Sequence, residues 1–317
     1  MNLNLLHTPD GVRDFYGSEL DAKNYIMNCF EKNIKLFGYD EIQTPTLEFI
    51  KVFSEDKGSL YDNRMFKFID RDGETIVLRP DYTPSIARCA AKYFGDDNYP
   101  IRFFYKGNSF SNKGIYEGKK VEFTQMGIEL LKDDTFLADA EVINIVINNL
   151  LSVGLEEFKI CISTKEENNR ERLDKIIEIL STKGLDKYVT VDLSLDSNFK
   201  YYTGMIFKAY TYGVGEAICK GGRYDSLIGK YGPDASAVGC VFMIDDILQS
   251  LRRQKIDVNI NKNTKTYVVY DDSDYIEKSA KADNLRNNGN NVVMIHKNLV
   301  NDKFLSMCNE NGYLINE

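Results

Sequence analysis

Apolar residues recur three and four positions apart in several stretches of the chain, which is the spacing that places them on one face of an α-helix. In the strongest of these stretches, Leu137, Ala140 and Ile143 share a predicted face, and Gly154 supplies a C-terminal stop. The same periodicity predicts helices over residues 16–37, 83–93, 136–153 and 166–182.

Shorter apolar segments bounded by Gly, Pro, Asn or Asp are typical of β-strands. Segments 65–69 and 75–79 flank a turn-forming sequence and predict a hairpin. Segments 101–108 and 121–130 predict a second pair of strands joined by a long polar loop. Together with the glycine-rich stretch 189–246, these segments predict a body in which a sheet is accompanied by helices.

The pattern changes near residue 253. The polar stretch 253–263 is typical of a linker, and after it short apolar strands alternate with helical segments. Alternation of this kind is typical of a small α/β unit. We therefore predict a first domain over residues 1–252 and a small C-terminal domain over residues 264–317.

Composition argues against several classes of function. A chain of 317 residues with a formal net charge of −8 lacks the basic footprint that is usual in nucleic-acid binders. No apolar run approaches the length of about 18 residues that a membrane-spanning helix needs. The first residues show neither the basic region nor the apolar core of a signal peptide. We therefore predict a cytoplasmic protein that binds neither nucleic acid nor membrane.

Cysteine and histidine usage argues against metal chemistry and nucleophilic catalysis. The six cysteines are scattered, without a C-x-x-C pair, and the chain has two histidines. Scattered cysteines in a chain without an export signal favour reduced thiols. We predict no metal, no cofactor and no Ser-His or Cys-His triad.

Polar residues occupy unusual places at two points of the predicted body. Asp81 and Thr83 lie where a strand runs into a helix, a place that helix capping alone would explain. Gln125 and Glu129 share one face of a predicted strand. Such residues would be costly to bury without a ligand or partner, so a solvated sheet face is the alternative interpretation.

A third point is the pair Tyr201 and Tyr202, which precedes the glycine-rich segment Gly221–Asp225. Adjacent residues on a strand point to opposite faces, so we expect only one of these tyrosines to line a given pocket. Glycines next to them would allow close backbone approach. From the residues alone, none of the three points identifies a reaction.

Several ordered motifs together resemble the histidyl-tRNA synthetase family over roughly residues 8 to 250. The segments that carry the resemblance are Gly11–Phe15, Gly38–Pro45, Leu78–Asp81, 102–129, Tyr201–Gly204, Gly221–Asp225 and Ala237–Gly239. The resemblance implies an α+β fold: a class II aminoacyl-tRNA synthetase-like antiparallel sheet flanked by helices. It also implies a homodimer built through motif 1, which is matched by Gly38–Pro45. The C-terminal unit would be a truncated version of the anticodon-binding domain.

The resemblance further implies cationic residues that this sequence lacks. Ser111 stands where the family has the arginine of motif 2, and Lys113 replaces a nearby acidic residue. The family's histidine-specific arginine falls at Ser197, and the arginine of motif 3 falls at Asp246. Positioned charges of this kind change rates by about 10²–10³ each. We therefore predict that these positions are degenerate and that the chain does not form an aminoacyl adenylate.

The residues that contact the amino acid in the family are largely present. They match Asp81, Thr83, Gln125, Glu129, Tyr201 and Tyr202. A synthetase-like body with this pocket and without the ATP arginines is similar to the family of ATP phosphoribosyltransferase regulatory subunits. That family implies a non-catalytic chain that acts on a short-form catalytic subunit in the first step of histidine biosynthesis, with L-histidine as its ligand.

Two alternatives remain at this point. The chain could be an active histidyl-tRNA synthetase, which histidine-dependent ATP–pyrophosphate exchange would identify. It could also be a synthetase-like paralogue that senses another amino acid or partner. The sequence also leaves open whether histidine binds the synthetase-like pocket or an interface with the catalytic subunit.

Overall fold

A computed structural model describes residues 6–53, 64–112, 120–164, 170–195, 201–258 and 264–316. The chain forms two compact units, Met1–Val258 and Asn259–Glu317. In the described ranges, no helix combines the length and the apolar character needed to cross a membrane.

The larger unit contains the predicted helices and strands. Its helices are α1 (Gly17–Leu36), α2 (Thr83–Phe94), α3 (Phe136–Ser152), α4 (Arg170–Ser181) and α5 (Ile244–Arg253). Its strands are β1 (Asp40–Glu41), β2 (Leu47–Phe49), β3 (Lys67–Ile69), β4 (Thr75–Leu78), β5 (Ile101–Phe110), β6 (Glu122–Leu131), β7 (Phe158–Thr164), β8 (Val189–Val191), β9 (Met205–Thr211), β10 (Cys219–Arg223) and β11 (Ala237–Met243). The four helices predicted above are confirmed to within a few residues at each end.

An eight-stranded sheet dominates this unit, in the order β1-β5-β6-β11-β10-β9-β7-β8. Its six inner strands pair antiparallel, as predicted. The edge strands differ, because β1 runs parallel to β5 and β8 runs parallel to β7. Parallel neighbours need a long crossover connection, and α4 provides one between β7 and β8. The sheet is therefore mixed, with an antiparallel centre.

Helices cover one face of the large sheet. The ring of Phe242 in β11 lies 4.8 Å from that of Phe30 in α1, and α3 packs against the same strands. The predicted apolar face of α3 is wrong at one position: Leu137 in the first turn is 56% exposed, and burial begins at Ala138. Residues that alternate with Phe242, such as Gly239, therefore point to the opposite face. We call that opposite face the pocket face.

A second, three-stranded sheet has the order β2-β4-β3. β3 and β4 form the predicted hairpin, with Phe68 opposite Ile76. β2 pairs with the other edge of β4 and places Phe49 opposite the same Ile76. Val77, on the inner face, is fully buried, whereas Phe49 and Phe68 are about half exposed.

The smaller unit alternates strands and helices, as predicted. Its elements are β12 (Lys265–Tyr270), α6 (Tyr275–Asn287), β13 (Asn291–His296), α7 (Asp302–Asn311) and β14 (Leu314–Asn316). All strands are parallel, in the order β13-β12-β14. The sequence missed β14 because three residues are too few to show a period. The relation of this unit to an anticodon-binding domain stays a prediction.

Candidate functional site

Glu129 lies on the pocket face of β6 and is 1% exposed. Its carboxylate accepts hydrogen bonds from the Thr83 hydroxyl at 2.7 Å and from the Tyr224 hydroxyl. Burial is the main reason that the pKa of Glu129 is raised to about 8. The two hydroxyl donors lower this pKa, and the nearby Asp81 raises it. The alternative of a solvated sheet face is therefore wrong for this strand.

A glycine on the neighbouring strand makes room for this carboxylate. Gly239 in β11 pairs directly with Glu129, and a Cβ at that position would lie 1.8 Å from Glu129 Oε2. Any larger residue would displace the carboxyl group. The motif 3-like sequence Ala237–Gly239 thus has a physical role in shaping the pocket.

Asp81 connects the start of α2 to the same pocket. Its Oδ1 accepts the backbone N–H of Thr83 at 3.3 Å, so the capping interpretation holds for this residue. Its Oδ2 accepts the Tyr201 hydroxyl at 2.9 Å, which capping does not require. The Thr83 hydroxyl turns away from the helix and donates to Glu129 instead.

The two tyrosines do not follow the strand alternation expected of them. They precede β9, which begins at Met205, so the rule of opposite faces does not apply. Tyr201 reaches Asp81, and Tyr202 packs against Gly222, where a Cβ would lie 2.9 Å from its ring. Burial raises the pKa of Tyr202 well above its usual value, and Asp81 and Glu129 raise it further. The expectation that only one tyrosine lines the pocket is therefore wrong.

Gln125 lies four residues before Glu129 on the same face of β6. Its side-chain amide has a contact on each side. Its Oε1 accepts the Ser109 hydroxyl at 2.6 Å, and its Nε2 lies 3.8 Å from the sulfur of Met243. The side chain is 6% exposed. β5 and β11 thus fix the amide from opposite sides.

Tyr105 is a pocket residue that the sequence reasoning missed. It lies in β5 opposite Gly127, and its ring stacks on Tyr82 with the centroids 4.3 Å apart. Its hydroxyl is buried and has no hydrogen-bond partner among the residues that the structure describes. Burial raises the pKa of Tyr105 well above its usual value, with additional contributions from Glu129 and Asp81. A glycine paired with an aromatic residue could have indicated that Tyr105 belongs to this site. That pairing, however, can be recognised only when the register of the two strands is known.

Arg223, in the Gly221–Asp225 segment, has a different environment. Its guanidinium donates to Asp139 from Nε at 3.0 Å and from Nη2 at 2.6 Å. Arg172 donates to the other oxygen of Asp139 at 2.6 Å. Asp225 accepts a further bond from Arg223 at 3.1 Å. The charges of this network are therefore compensated within the protein.

Two of the four positions predicted to be degenerate, Ser111 and Asp246, lie in the described part of the chain. Ser111 follows the end of β5 and is 9% exposed, and Asp246 in α5 accepts the Lys120 ammonium at 2.6 Å. Lys113 and Ser197 lie outside the described residues. Across the described ranges, no cluster of three or more His, Cys, Asp or Glu side chains is placed to hold a metal ion.

Comparison with known proteins identifies the family. The model of the family described as "Histidyl-tRNA synthetase" matches residues 11–166 and 163–247. The ATP phosphoribosyltransferase regulatory subunit of Acetivibrio thermocellus is 33% identical, over 80% of this chain and 78% of that one. The protein of the same name from Clostridium novyi is 32% identical, over 90% of this chain and 85% of its own length.

Solved structures agree with the sequence relatives. An ATP phosphoribosyltransferase regulatory subunit/histidyl-tRNA synthetase from Bacillus halodurans superposes with a TM-score of 0.84 at 28% identity, covering 99% of both chains. Apo histidyl-tRNA synthetase from S. aureus gives a TM-score of 0.82 at 24% identity, over 98% of this chain and 90% of that one. The predicted class II synthetase-like fold is therefore confirmed. With this fold, the family match and relatives above 30% identity over most of both chains, the chain belongs to the family of ATP phosphoribosyltransferase regulatory subunits.

Proposed function

We propose that the chain is a non-catalytic subunit that senses L-histidine and controls a short-form catalytic subunit of ATP phosphoribosyltransferase in the first step of histidine biosynthesis. One observation carries the sensing role. Glu129 is a buried carboxyl group that has hydroxyl donors but no ion-pair partner among the described residues. The names of the relatives supply the identity of the controlled enzyme.

A cationic ligand group would complete this pocket. A buried carboxyl without a cation prefers its neutral form, and an opposite charge within a few ångströms restores the ionised form. The ammonium or the imidazole N–H of histidine offers such a group to Glu129 and Asp81. The amide of Gln125 can both donate and accept, and Tyr201 and Tyr202 supply aromatic walls. The proposed ligand therefore uses Asp81, Thr83, Gln125, Glu129, Tyr201 and Tyr202 together.

Two described positions support a role without aminoacylation. Ser111 offers no charge to an α-phosphate or carboxylate. Asp246 is already bound to Lys120 at 2.6 Å and adds a carboxylate where a phosphate would need a cation. Loss of a positioned donor lowers a rate by about 10²–10³. No cofactor is needed for the proposed role, and the six free cysteines are compatible with work in the cytoplasm.

Regulation by histidine would follow from linkage between two sites. If histidine changes the affinity of the chain for the catalytic subunit, then binding of the catalytic subunit must change the affinity for histidine by the same factor. A feedback inhibitor needs to bind one of the two states only about 1–3 kcal/mol more tightly than the other. That is a difference in affinity of about fivefold to 150-fold.

The test uses the purified chain and its cognate catalytic subunit. We expect the chain to raise the rate of phosphoribosyl transfer, and we expect histidine to lower that rate. The Glu129→Gln variant should still activate but should require at least tenfold more histidine for inhibition. A transferase whose rate and histidine response are unchanged by the chain would rule out the proposal. Inhibition that is equal in wild type and Glu129→Gln would place histidine outside this pocket.

We also propose that the subunit pairs with a second copy of itself through the motif 1 region. The outer face of the small sheet carries Leu47, Phe49 and Phe68, each between 47% and 51% exposed. Register places Phe49 and Phe68 on either side of Ile76, which makes the apolar surface continuous. Contiguous apolar patches on a folded chain usually mark an interface. A second copy can cover this patch with its own equivalent, as two-fold interfaces do.

Light scattering of the separated chain tests this pairing. Phe49→Glu together with Phe68→Glu should shift the chain from dimer to monomer at micromolar concentration. Tyr93→Glu, which alters an even more exposed aromatic residue elsewhere, should leave the dimer intact. A monomeric wild type, or a dimer that survives the double substitution, would contradict the proposed interface.

A further inference from the structure

Arg79, which directly follows β4, is a buried cation whose hydrogen bonds all go to neutral acceptors. It is 7% exposed. Its Nε donates to the carbonyl oxygen of Asn108 at 2.9 Å, and its Nη1 donates to those of Thr44 at 2.9 Å and Pro45 at 3.3 Å. A buried charge is costly unless an opposite charge pairs with it. The position of this guanidinium therefore requires an explanation beyond these hydrogen bonds.

The acid that acts on Arg79 is already bound to another arginine. Glu48 accepts Nη2 of Arg88 at 2.7 Å. Burial lowers the pKa of Arg79, and the charges of Tyr82 and Glu48 offset this lowering only in part. An arginine side chain nevertheless stays protonated at neutral pH. Its positive charge is thus compensated incompletely by the side chains that the structure describes.

Nη2 of Arg79 lies over the pocket face and makes no hydrogen bond to a described residue. Gly107 follows Tyr105 by two residues in β5 and so shares its face. A Cβ built on Gly107 would lie 3.4 Å from this nitrogen and 2.3 Å from the Tyr82 hydroxyl. That hydroxyl likewise has no hydrogen bond within the described ranges. Two donors therefore converge over Gly107, whose strand partner is Gln125.

Stacking holds both donors in place. The guanidinium carbon of Arg79 lies 4.0 Å from the centroid of the Tyr82 ring. Tyr82 in turn stacks on Tyr105, with an angle of 16° between the two ring planes. An arginine that is fixed by stacking and by hydrogen bonds loses little side-chain freedom when its remaining nitrogen binds an anion. The two donors are thus prepared for a ligand before it arrives.

Arg79 and Glu129 each lack an opposite charge among the described residues, and the space between them suits one small molecule. Gln125 marks the level of Arg79 Nη2 on β6, and Glu129 follows it by four residues, about 13 Å of strand. A hydrogen bond of about 2.9 Å at each end leaves about 7 Å for a bridging ligand. That is about two residue lengths of extended chain. A free amino acid with a cationic or N–H group at the end of its side chain has this length and a negative charge at the other end.

We propose that Arg79 Nη2 and the Tyr82 hydroxyl form an anion subsite that holds the α-carboxylate of the amino acid whose side chain is bound at Glu129. The inference rests on the proposed function, since it assumes an amino-acid ligand. It adds two residues to the six named above and requires a ligand with a free carboxylate. A zwitterion bound in this way supplies both buried groups, the guanidinium and the carboxyl, with their missing partners.

The experiment compares L-histidine with L-histidinamide, which lacks the carboxylate, by calorimetric titration of the full chain at neutral pH. Wild type should bind the acid about ten- to a hundredfold more tightly than the amide, as expected for one charge-assisted contact. Arg79→Gln should reduce this preference to less than about threefold. Tyr82→Phe, which keeps the stacked ring, should reduce it by about three- to tenfold. The ratio of the two affinities is the measured quantity, because general damage to the pocket weakens both ligands alike.

Arg102→Gln is the matched control. Arg102 lies in the same strand, but its guanidinium donates to both oxygens of Glu141 on the other face of the sheet. This variant should keep the wild-type preference for the acid. A melting curve for each variant shows whether it folds, and Tyr82→Phe decides the test if Arg79→Gln does not.

The outcomes separate this subsite from the proposed function. If wild type binds histidine without preference over the amide, or if the deciding variant keeps the preference, the subsite is wrong although histidine sensing stands. A preference that Arg102→Gln also loses would overturn the subsite as well. If wild type binds another of the twenty amino acids instead, with an Arg79-dependent preference over its amide, the subsite stands and histidine sensing is wrong. If none of the twenty binds, both are overturned.

Discussion

Two fully buried carboxyl groups in the same unit have opposite surroundings. Asp139 in α3 is 0% exposed and receives Arg223 and Arg172 at 2.6 Å each. Glu129 in β6 is 1% exposed and, within the described part of the chain, receives the hydroxyls of Thr83 and Tyr224 and no cation. Asp139 is thus paired with two arginines, whereas the described partners of Glu129 are neutral.

The difference separates a structural role from a binding role. Burial alone disfavours the charge on Arg223, but Asp139 and Asp225 more than offset it and raise the pKa of that guanidinium. For Glu129, burial dominates, and the pKa rises to about 8. A buried charge network that satisfies itself has no need of a ligand, whereas a buried acid with a raised pKa and a nearby acid is typical of a functional site.

The largest expected effect is in the closed network. Asp139→Asn would leave Arg223 buried with most of its compensation gone, and breaking a buried ion pair from one side costs about 3–5 kcal/mol of the free energy of unfolding. Urea unfolding of the ligand-free chain measures this loss. Glu171→Gln removes an exposed helical ion pair with Lys175 and should leave the unfolding midpoint unchanged.

A small effect of Asp139→Asn on the free energy of unfolding would remove the contrast between Asp139 and Glu129. If that variant unfolded at the same urea concentration as the Glu171 control, Asp139 would not be the anchor of the network. Asp139 would then no longer be an example of a buried carboxyl group that stabilises the fold, and Glu129 could not be contrasted with it.

The second prediction concerns the pH dependence of stability without ligand. Glutamate in an unfolded chain ionises near pH 4.3, whereas Glu129 in the folded chain ionises near pH 8. Between these values the folded chain binds more protons than the unfolded chain, so the contribution of Glu129 to stability is present at low pH and declines as pH rises. The slope reaches about 1.4 kcal/mol per pH unit at most. Relative to Glu129→Gln, wild type should therefore lose stability steadily from about pH 4.5 to 8 and then level off.

Unfolding midpoints measured at several pH values for both chains test this difference. The exposed Glu178 offers a matched Glu→Gln control, whose curve should run parallel to that of wild type. A difference between wild type and Glu129→Gln that stays constant from pH 5 to 8 would show that Glu129 is ionised in the folded, ligand-free chain. The contrast with Asp139 would then be one of partners only, without a difference in charge state.

Sequence patterns predicted the parts of this molecule that depend on local spacing. The helix around Ile143 and the hairpin that pairs Phe68 with Ile76 follow from periods of 3.6 and 2, which a short window reveals. Asp81 and Glu129 are also found locally, Asp81 by its place between a strand and a helix and Glu129 by its place on one face of a predicted strand.

Features that depend on the pairing of distant segments could not be predicted in this way. Tyr105 became a pocket residue only through its register with Gly127, and the bond from Lys120 to Asp246 joins segments 126 residues apart. Tyr201 and Tyr202 were misjudged because the strand after them begins later than the pattern suggested.

The smallest expected effect compares two hydroxyls of the pocket. The Tyr105 hydroxyl is buried and no described residue bonds it, so Tyr105→Phe removes an unsatisfied group and should leave the ligand-free chain as stable or up to about 1 kcal/mol more stable. The Tyr224 hydroxyl donates to Glu129, so Tyr224→Phe should lower stability by about 1 kcal/mol. Both substitutions remove one oxygen from a fully buried ring, which makes each the control for the other. The reverse order of stabilities would mean that Tyr105 is bonded and Tyr224 is not. In that case Tyr224 would not be a donor to Glu129, and the contrast between Glu129 and Asp139 would rest on the Thr83 hydroxyl alone.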